Sequence, residues 1–140
     1  MTQAKRTWWS RLCEGSYRAS TRRLVREIET EAPQVYSEIL QDLETPLESA
    51  FERELAQHLD HGGYRAFVPA ETLLPAMRQR FGLDEVRVAE PGLASRLRGT
   101  CNACPVAGHC WRALRHGAEV DECRGFCPNA EALEREQLAC

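Results

Sequence analysis

Residues 35–59 read VYSEILQDLETPLESAFERELAQHL and carry the strongest secondary-structure signal of this 140-residue chain. Apolar side chains recur there every three to four residues, at Val35, Ile39, Leu40, Leu43, Leu47, Phe51, Leu55 and Leu59. An α-helix places positions with this spacing on one face, so the stretch predicts an amphipathic helix. Such a face has to be buried against other elements, and we expect an all-α fold.

A proline interrupts this pattern and predicts either two helices within residues 33–61 or one kinked helix. Thr45, Pro46 and Glu48 match an N-cap, a first helical residue and a capping-box acid. Two further helices are predicted over residues 70–81 and 92–98, each ended by the glycine that follows it. Helices are also expected at about 111–116 and 129–138, and Val86 and Val88 could form at most one short strand.

The cysteine distribution predicts a boundary near Gly99, after which five cysteines fall within 27 residues. We therefore expect a helical region over residues 1–98 and a cysteine-rich metal-binding module over residues 99–140. The helical region would contain a basic N-terminal arm, residues 1–26, and the acidic amphipathic helices of residues 33–61.

Charge is distributed unevenly along the helical region. Residues 1–26 carry a net charge of +6 and residues 27–60 a net charge of −9, while the whole chain carries −3. The basic arm is expected to fold onto the acidic helix, and the overall charge disfavours nucleic acid as a partner. Trp8 and Trp9 within the basic arm fit either docking on the protein's own core or a weak peripheral membrane contact.

Composition narrows the class of protein. The chain is 43% hydrophobic but has no apolar run near the roughly 20 residues that a membrane helix needs. Its first residues contain no apolar stretch of signal-peptide length, so we expect a cytoplasmic protein. Sequence signatures of nucleotide enzymes, serine hydrolases and zinc proteases are absent, and we expect no enzymatic activity.

Seven cysteines in a reducing compartment indicate a metal site better than they indicate disulfides. Cys101 and Cys104 form a Cys-x2-Cys pair, which is typical of a tight turn whose thiolates converge on one metal. Cys13 and Cys140 are isolated in sequence and are not expected to be ligands. His109 and His116 could each replace a thiolate, although an ordinary histidine at a helix end is the simpler interpretation.

Two sets of four cysteines are compatible with this pair. Cys101, Cys104, Cys123 and Cys127 would form two knuckles around a structural zinc ion. Cys101, Cys104, Cys110 and Cys127 have an uneven spacing that is better suited to an iron–sulfur cluster, most simply [4Fe–4S]. Prolines directly after Cys104 and Cys127 are typical of cluster-ligating cysteines and favour an iron–sulfur cluster, for which Cys123 is the alternate ligand.

We expect Cys110 to be preferred over Cys123 because it should stand at the start of the helix near Trp111, where unpaired N–H groups stabilise a thiolate. Cys123 is expected in a charged loop. Arg98, Trp111 and Arg124 are predicted to shape the surroundings of the cluster.

A weaker candidate site lies in the acidic region. Glu54, His58 and His61 share one face of a predicted helix and could bind a metal ion. His61 directly precedes two glycines that should end the helix, and a histidine near a helix C-terminus is favourable without any ligand. We therefore prefer a structural interpretation of these residues.

Residues 98–135 also resemble a family of small uncharacterised bacterial proteins, a domain of unknown function. The matching positions are Cys101, Cys104, Cys110, Trp111, Cys127, Asn129 and Ala130, in the pattern Cys-x2-Cys-x5-Cys followed by Cys-x-Asn-Ala. The Cys-x2-Cys-Pro segment is similar to auxiliary-cluster segments of radical-SAM enzymes. Both resemblances imply a cluster-binding or metal-binding module and no particular activity.

Two functions follow from these observations. The first is a small iron–sulfur protein that transfers electrons or senses redox state together with a protein partner. The second is a module whose fold is stabilised by a structural zinc ion and whose helical region binds another protein.

Overall fold

The computed structural model describes residues 18–60, 66–83 and 91–139, and the regular structure within these ranges is entirely helical. Its eight helices are α1 (residues 18–31), α2 (Pro33–Gln41), α3 (Ser49–Asp60), α4 (Pro69–Arg80), α5 (Pro91–Asn102), α6 (Ala107–Arg115), α7 (Val120–Arg124) and α8 (Ala130–Ala139). The predicted all-α class is confirmed. The short strand predicted at Val86 and Val88 lies outside the described residues.

The predicted break at Pro46 is present, but its capping differs from the prediction. Helix α2 ends at Gln41 and α3 begins only at Ser49. The carboxylate of Glu48, and not the Thr45 side chain, accepts hydrogen bonds from the N–H groups of Ala50 and Phe51, both at 3.1 Å. Glu48 therefore satisfies two of the free donors that every helix N-terminus leaves.

Helix α4 follows its prediction closely, whereas α5 does not. Gly82, at φ +72°, ends α4 as predicted. Gly99, predicted to end a helix over residues 92–98, lies inside α5, where its carbonyl accepts the N–H of Ala103 at 3.1 Å. A glycine ends a helix only where the chain turns into the left-handed region, and Gly99 does not adopt a positive φ.

One hydrophobic core joins the helices, with α3 packed on α6, and α4 packed on both α5 and α6. Leu40, Leu55 and Leu59 of the predicted apolar face are buried, but Val35 is 49% exposed. Tyr36 is fully buried in its place. The buried face of α2 therefore lies one residue further along the chain than the apolar pattern predicts.

The predicted boundary between residues 98 and 99 falls within α5. Core residues come from both sides of that position, and include Leu40 and Leu55 before it and Trp111 and Leu133 after it. The cysteine-bearing helices thus pack directly on the helices that precede them.

Opposite charges meet between α1 and α3. The Arg22 Nε atom lies 3.7 Å from the Glu54 Oε1 atom, and Val25 of α1 is fully buried. Within the described residues, the basic segment therefore contacts the acidic helix in the expected way.

Trp8 and Trp9, with the rest of residues 1–17, lie outside the described residues. No described helix combines the length and the apolar character needed to cross a bilayer.

Candidate metal centre

Four cysteines from four different segments line one small cavity, and they are Cys101, Cys104, Cys110 and Cys127. The cavity has a volume of about 20 Å³, and its other walls include Leu73, Ala107, Phe126 and Pro128. All four are free thiols. This set is the uneven one that the sequence analysis associated with an iron–sulfur cluster.

Local backbone structure delivers each thiol to the cavity. Cys101 lies in the last turn of α5, and the Cys104 N–H donates to the Cys101 carbonyl at 3.2 Å in the turn that follows. Cys110 lies within α6. Cys127 lies between α7 and α8, where its N–H donates to the Cys123 carbonyl at 2.9 Å.

Helix α6 is held by contacts with α2 and α3. The Gly108 N–H donates to the Asp60 carboxylate at 2.7 Å. The indole N–H of Trp111, which is fully buried, donates to the Leu40 carbonyl at 2.8 Å. These contacts fix the position of Cys110 relative to the rest of the core.

Burial and mutual proximity both disfavour ionised thiols in the cavity. Burial raises the pKa of Cys101 to about 12, to which nearby Cys104 and Cys127 contribute, while the Arg98 guanidinium acts in the opposite direction. Burial likewise raises the pKa of Cys110, with further increases from Cys127, Cys101, Cys104 and Cys123. Neutral thiols are favoured until a positively charged partner compensates several thiolates together.

Backbone N–H groups favour the ionised form of the Cys127 thiol. Burial raises the pKa of its thiol, but the N–H groups of Asn129 and Ala130 hydrogen-bond to it and lower the pKa. These N–H groups belong to the beginning of α8, where a helix stabilises negative charge. The Asn129 side chain, itself buried, donates to the Leu97 carbonyl at 2.9 Å and ties this corner to α5.

Two structural reasons given for choosing Cys110 over Cys123 are wrong. Helix α6 begins at Ala107, so Cys110 lies one turn inside it, and its N–H is already bonded to the Val106 carbonyl at 2.9 Å. Cys127 is the thiol that lies beside the start of a helix. The sequence Cys-Pro-Asn-Ala at residues 127–130, where α8 begins, is the pattern that indicates this position. Cys123 lies in α7, not in a loop, and is fully buried without lining the cavity.

Most side chains that were predicted to surround a cluster or to replace a thiolate do not line the cysteine cavity. Trp111 packs in the core, and the Arg124 guanidinium pairs with Asp121 and Glu134. His116 lies 2.6 Å from the Glu52 carboxylate, measured from its Nε2 atom, so it is not placed to replace a thiolate. The His109 ring packs edge-on against Phe126, with the ring centroids 4.8 Å apart.

The weaker candidate site in α3 forms ion pairs with its neighbours. The His58 Nε2 atom lies 3.9 Å from Glu54, and the His58 Nδ1 atom lies 3.6 Å from Glu29 of α1. His61 lies outside the described residues. The contacts of Glu54 and His58 fit the structural interpretation.

The donor set fits a thiophilic metal in kind and number, since four thiols line one apolar cavity. Among the described residues, no three His, Cys, Asp or Glu side chains already stand together as a metal-binding group. Binding would therefore draw the four sulfur atoms closer to one another. Side-chain rotations of the cysteines are the simplest way to achieve this.

Comparisons with protein-family models, with curated proteins and with solved structures gave no match for this chain. The resemblance of residues 98–135 to a bacterial family therefore stays a prediction.

Proposed function

We propose that the chain is a small iron–sulfur protein that holds a cluster, most simply [4Fe–4S], on Cys101, Cys104, Cys110 and Cys127. The observation that carries this proposal is that these four thiols line one cavity, whereas Cys123 is buried outside it. The two-knuckle zinc set requires Cys123 and is disfavoured for the same reason. We propose a non-enzymatic role in electron transfer or redox sensing in the cytoplasm.

Several residues would support a bound cluster. Leu73, Ala107 and Phe126 surround the thiols with apolar side chains, and the N–H groups of Asn129 and Ala130 stabilise the Cys127 thiolate. A bound cluster would supply reversible one-electron chemistry, whose potential depends on hydrogen bonds to sulfur and on solvent exposure.

Cys104 is the thiol through which we propose that a protein partner exchanges electrons. It lines the small cavity and also a surface groove of about 560 Å³, so it forms part of the wall between them. The groove is lined mainly by apolar side chains, among them Leu59, Phe67 and Val68. Partner docking there would bring a donor or acceptor close to the cluster.

Zinc is the alternative occupant, and the cavity volume favours it. About 20 Å³ is only slightly more than a single water molecule requires, so one ion needs less rearrangement of the cysteines than a cluster does. In that case the ion would supply folding energy and the helices would bind a protein partner.

The occupant is tested by purifying the full chain under anaerobic conditions and measuring its metal content and visible absorption. We expect a brown protein with about four irons per chain and broad visible absorption that bleaches on reduction. A colourless protein with about one zinc per chain would contradict the iron–sulfur assignment and favour the zinc alternative.

The ligand set is tested by comparing Cys110→Ser with Cys123→Ser. Both residues are buried, so each variant places one hydroxyl in the core at a similar cost. We expect Cys110→Ser to lose most of the bound iron and Cys123→Ser to keep most of it. Equal losses would indicate a five-cysteine site, and the reverse order would support the two-knuckle set.

A further inference from the structure

A second cavity, unrelated to the cysteines, lies between α1 and α3. Its volume is about 360 Å³, and Arg18 and Arg22 of α1 face Arg53 and Gln57 of α3 across it. Each helix contributes residues four positions apart, which lie on one helical face. Ala50, a small residue, also lines this cavity.

The positive charge in this groove is only partly neutralised. Glu54 is the one carboxylate among its lining residues, and it lies 3.7 Å from Arg22 and 3.9 Å from His58. Arg18 and Arg53 form no ion pair with the part of the chain that the structure describes. Among the described residues, these two guanidinium groups therefore have no carboxylate partner.

A neighbouring groove on α1 provides the contrast. It is lined by Arg22, Arg23 and Arg26, but also by Glu27 and Glu31. The carboxylates there balance most of the positive charge. The excess positive charge is thus concentrated in the groove between α1 and α3 and is not spread evenly along α1.

We propose that the groove between α1 and α3 binds a phosphate group, carried either by a soluble anion or by a lipid head group. Guanidinium groups match phosphate oxygens with two parallel hydrogen bonds, and Arg18 and Arg53 approach from opposite walls. Arg22 lies beside Glu54 and is the arginine whose charge is partly neutralised. The Gln57 amide can donate a further hydrogen bond.

This site is separate from the proposed cluster site. Ala56 and Asp60 of α3 contact Gly108 of α6, whereas Arg53 and Gln57 line the groove shared with α1. No residue lines both this groove and the cysteine cavity. Phosphate binding is therefore expected whether or not the cysteines hold metal.

The test is calorimetric titration of the full chain with inorganic pyrophosphate at low ionic strength, using Arg53→Gln and the control Arg23→Gln. Both variants remove one exposed positive charge, but only Arg53 lines the groove. We expect saturable 1:1 binding that weakens at least about tenfold in Arg53→Gln, because a charge-assisted hydrogen bond is lost. Arg23→Gln should change affinity less than about twofold.

A parallel arm distinguishes the two sources of phosphate. The same three proteins are sedimented with vesicles of phosphatidylcholine that contain phosphatidylglycerol. Selective loss of vesicle binding in Arg53→Gln supports a lipid head group, and selective loss of pyrophosphate binding supports a soluble anion. The proposal would be overturned if the chain bound neither pyrophosphate nor vesicles, or if both variants weakened binding equally. Titration with duplex oligonucleotides is the remaining control, and binding to them alone would also overturn the proposal.

Discussion

Replacing Arg115 with methionine is expected to lower the free energy of unfolding by about 3 to 5 kcal/mol, because it removes the one fully buried charged partner of a buried carboxylate. Glu52 is fully buried and Arg115 is 4% exposed, and the Arg115 Nε atom lies 3.2 Å from Glu52 Oε2. The same guanidinium donates to the carbonyls of Ile39, Asp42 and Thr45. One side chain thus holds the end of α2 and the segment before α3.

Urea denaturation followed by far-UV circular dichroism measures this effect. Arg135→Met is the matched control, because Arg135 pairs with Glu131 at 2.9 Å and both side chains are largely exposed. An exposed pair of this kind contributes about 0 to 1 kcal/mol. Similar losses in the two variants would show that the buried pair has no special role.

The pH dependence of stability provides a second readout of the same network. Burial raises the pKa of Glu52, but hydrogen bonds from Leu47, His116 and Arg115 outweigh it, and the pKa is lowered overall from 4.5. A carboxyl whose pKa is depressed by folding stabilises the protein above its unfolded pKa. We therefore expect stability to decrease as the pH falls below 4.5, and to decrease less in Arg115→Met.

Gly108→Ala is expected to destabilise the protein by about 2 to 3 kcal/mol, since an added methyl group has no space. A Cβ atom at Gly108 would lie 1.9 Å from the Ala56 carbonyl oxygen and 2.6 Å from its carbon. Both are backbone atoms, so α6 would have to move away from α3. Cys110 lies two residues further along α6, and we expect the variant to bind less metal as well.

Gly99→Ala is the control for this prediction, measured by the same denaturation and metal analysis. A Cβ atom at Gly99 would meet nothing within 4 Å, and the residue lies inside α5. Alanine there should stabilise the chain by about 0.5 to 1 kcal/mol through its higher helix propensity. Equal stability of the two variants would contradict the close helix contact at Gly108.

The sequence by itself determined the helical character of this protein and the set of candidate ligands. Apolar spacing along residues 35–59 predicted helices on both sides of Pro46, because helical periodicity is local information. Gly82 ends α4 as predicted, because a glycine that terminates a helix is also a local signal. Cysteine spacing predicted the set that lines the cavity as one of two, and the prolines after Cys104 and Cys127 favoured an iron–sulfur cluster. The structural reasons offered for Cys110 were wrong.

Only the tertiary structure decided which cysteines line one cavity and which contacts hold their helices. Cys110 and Cys123 both fit a plausible spacing, and packing of α6 and α7 makes Cys110 a lining residue of the cavity while Cys123 is buried near it without lining it. The Glu52 and Arg115 pair spans 63 residues of sequence. Contacts of this range depend on how helices pack against one another, and no local pattern of residue types encodes that arrangement.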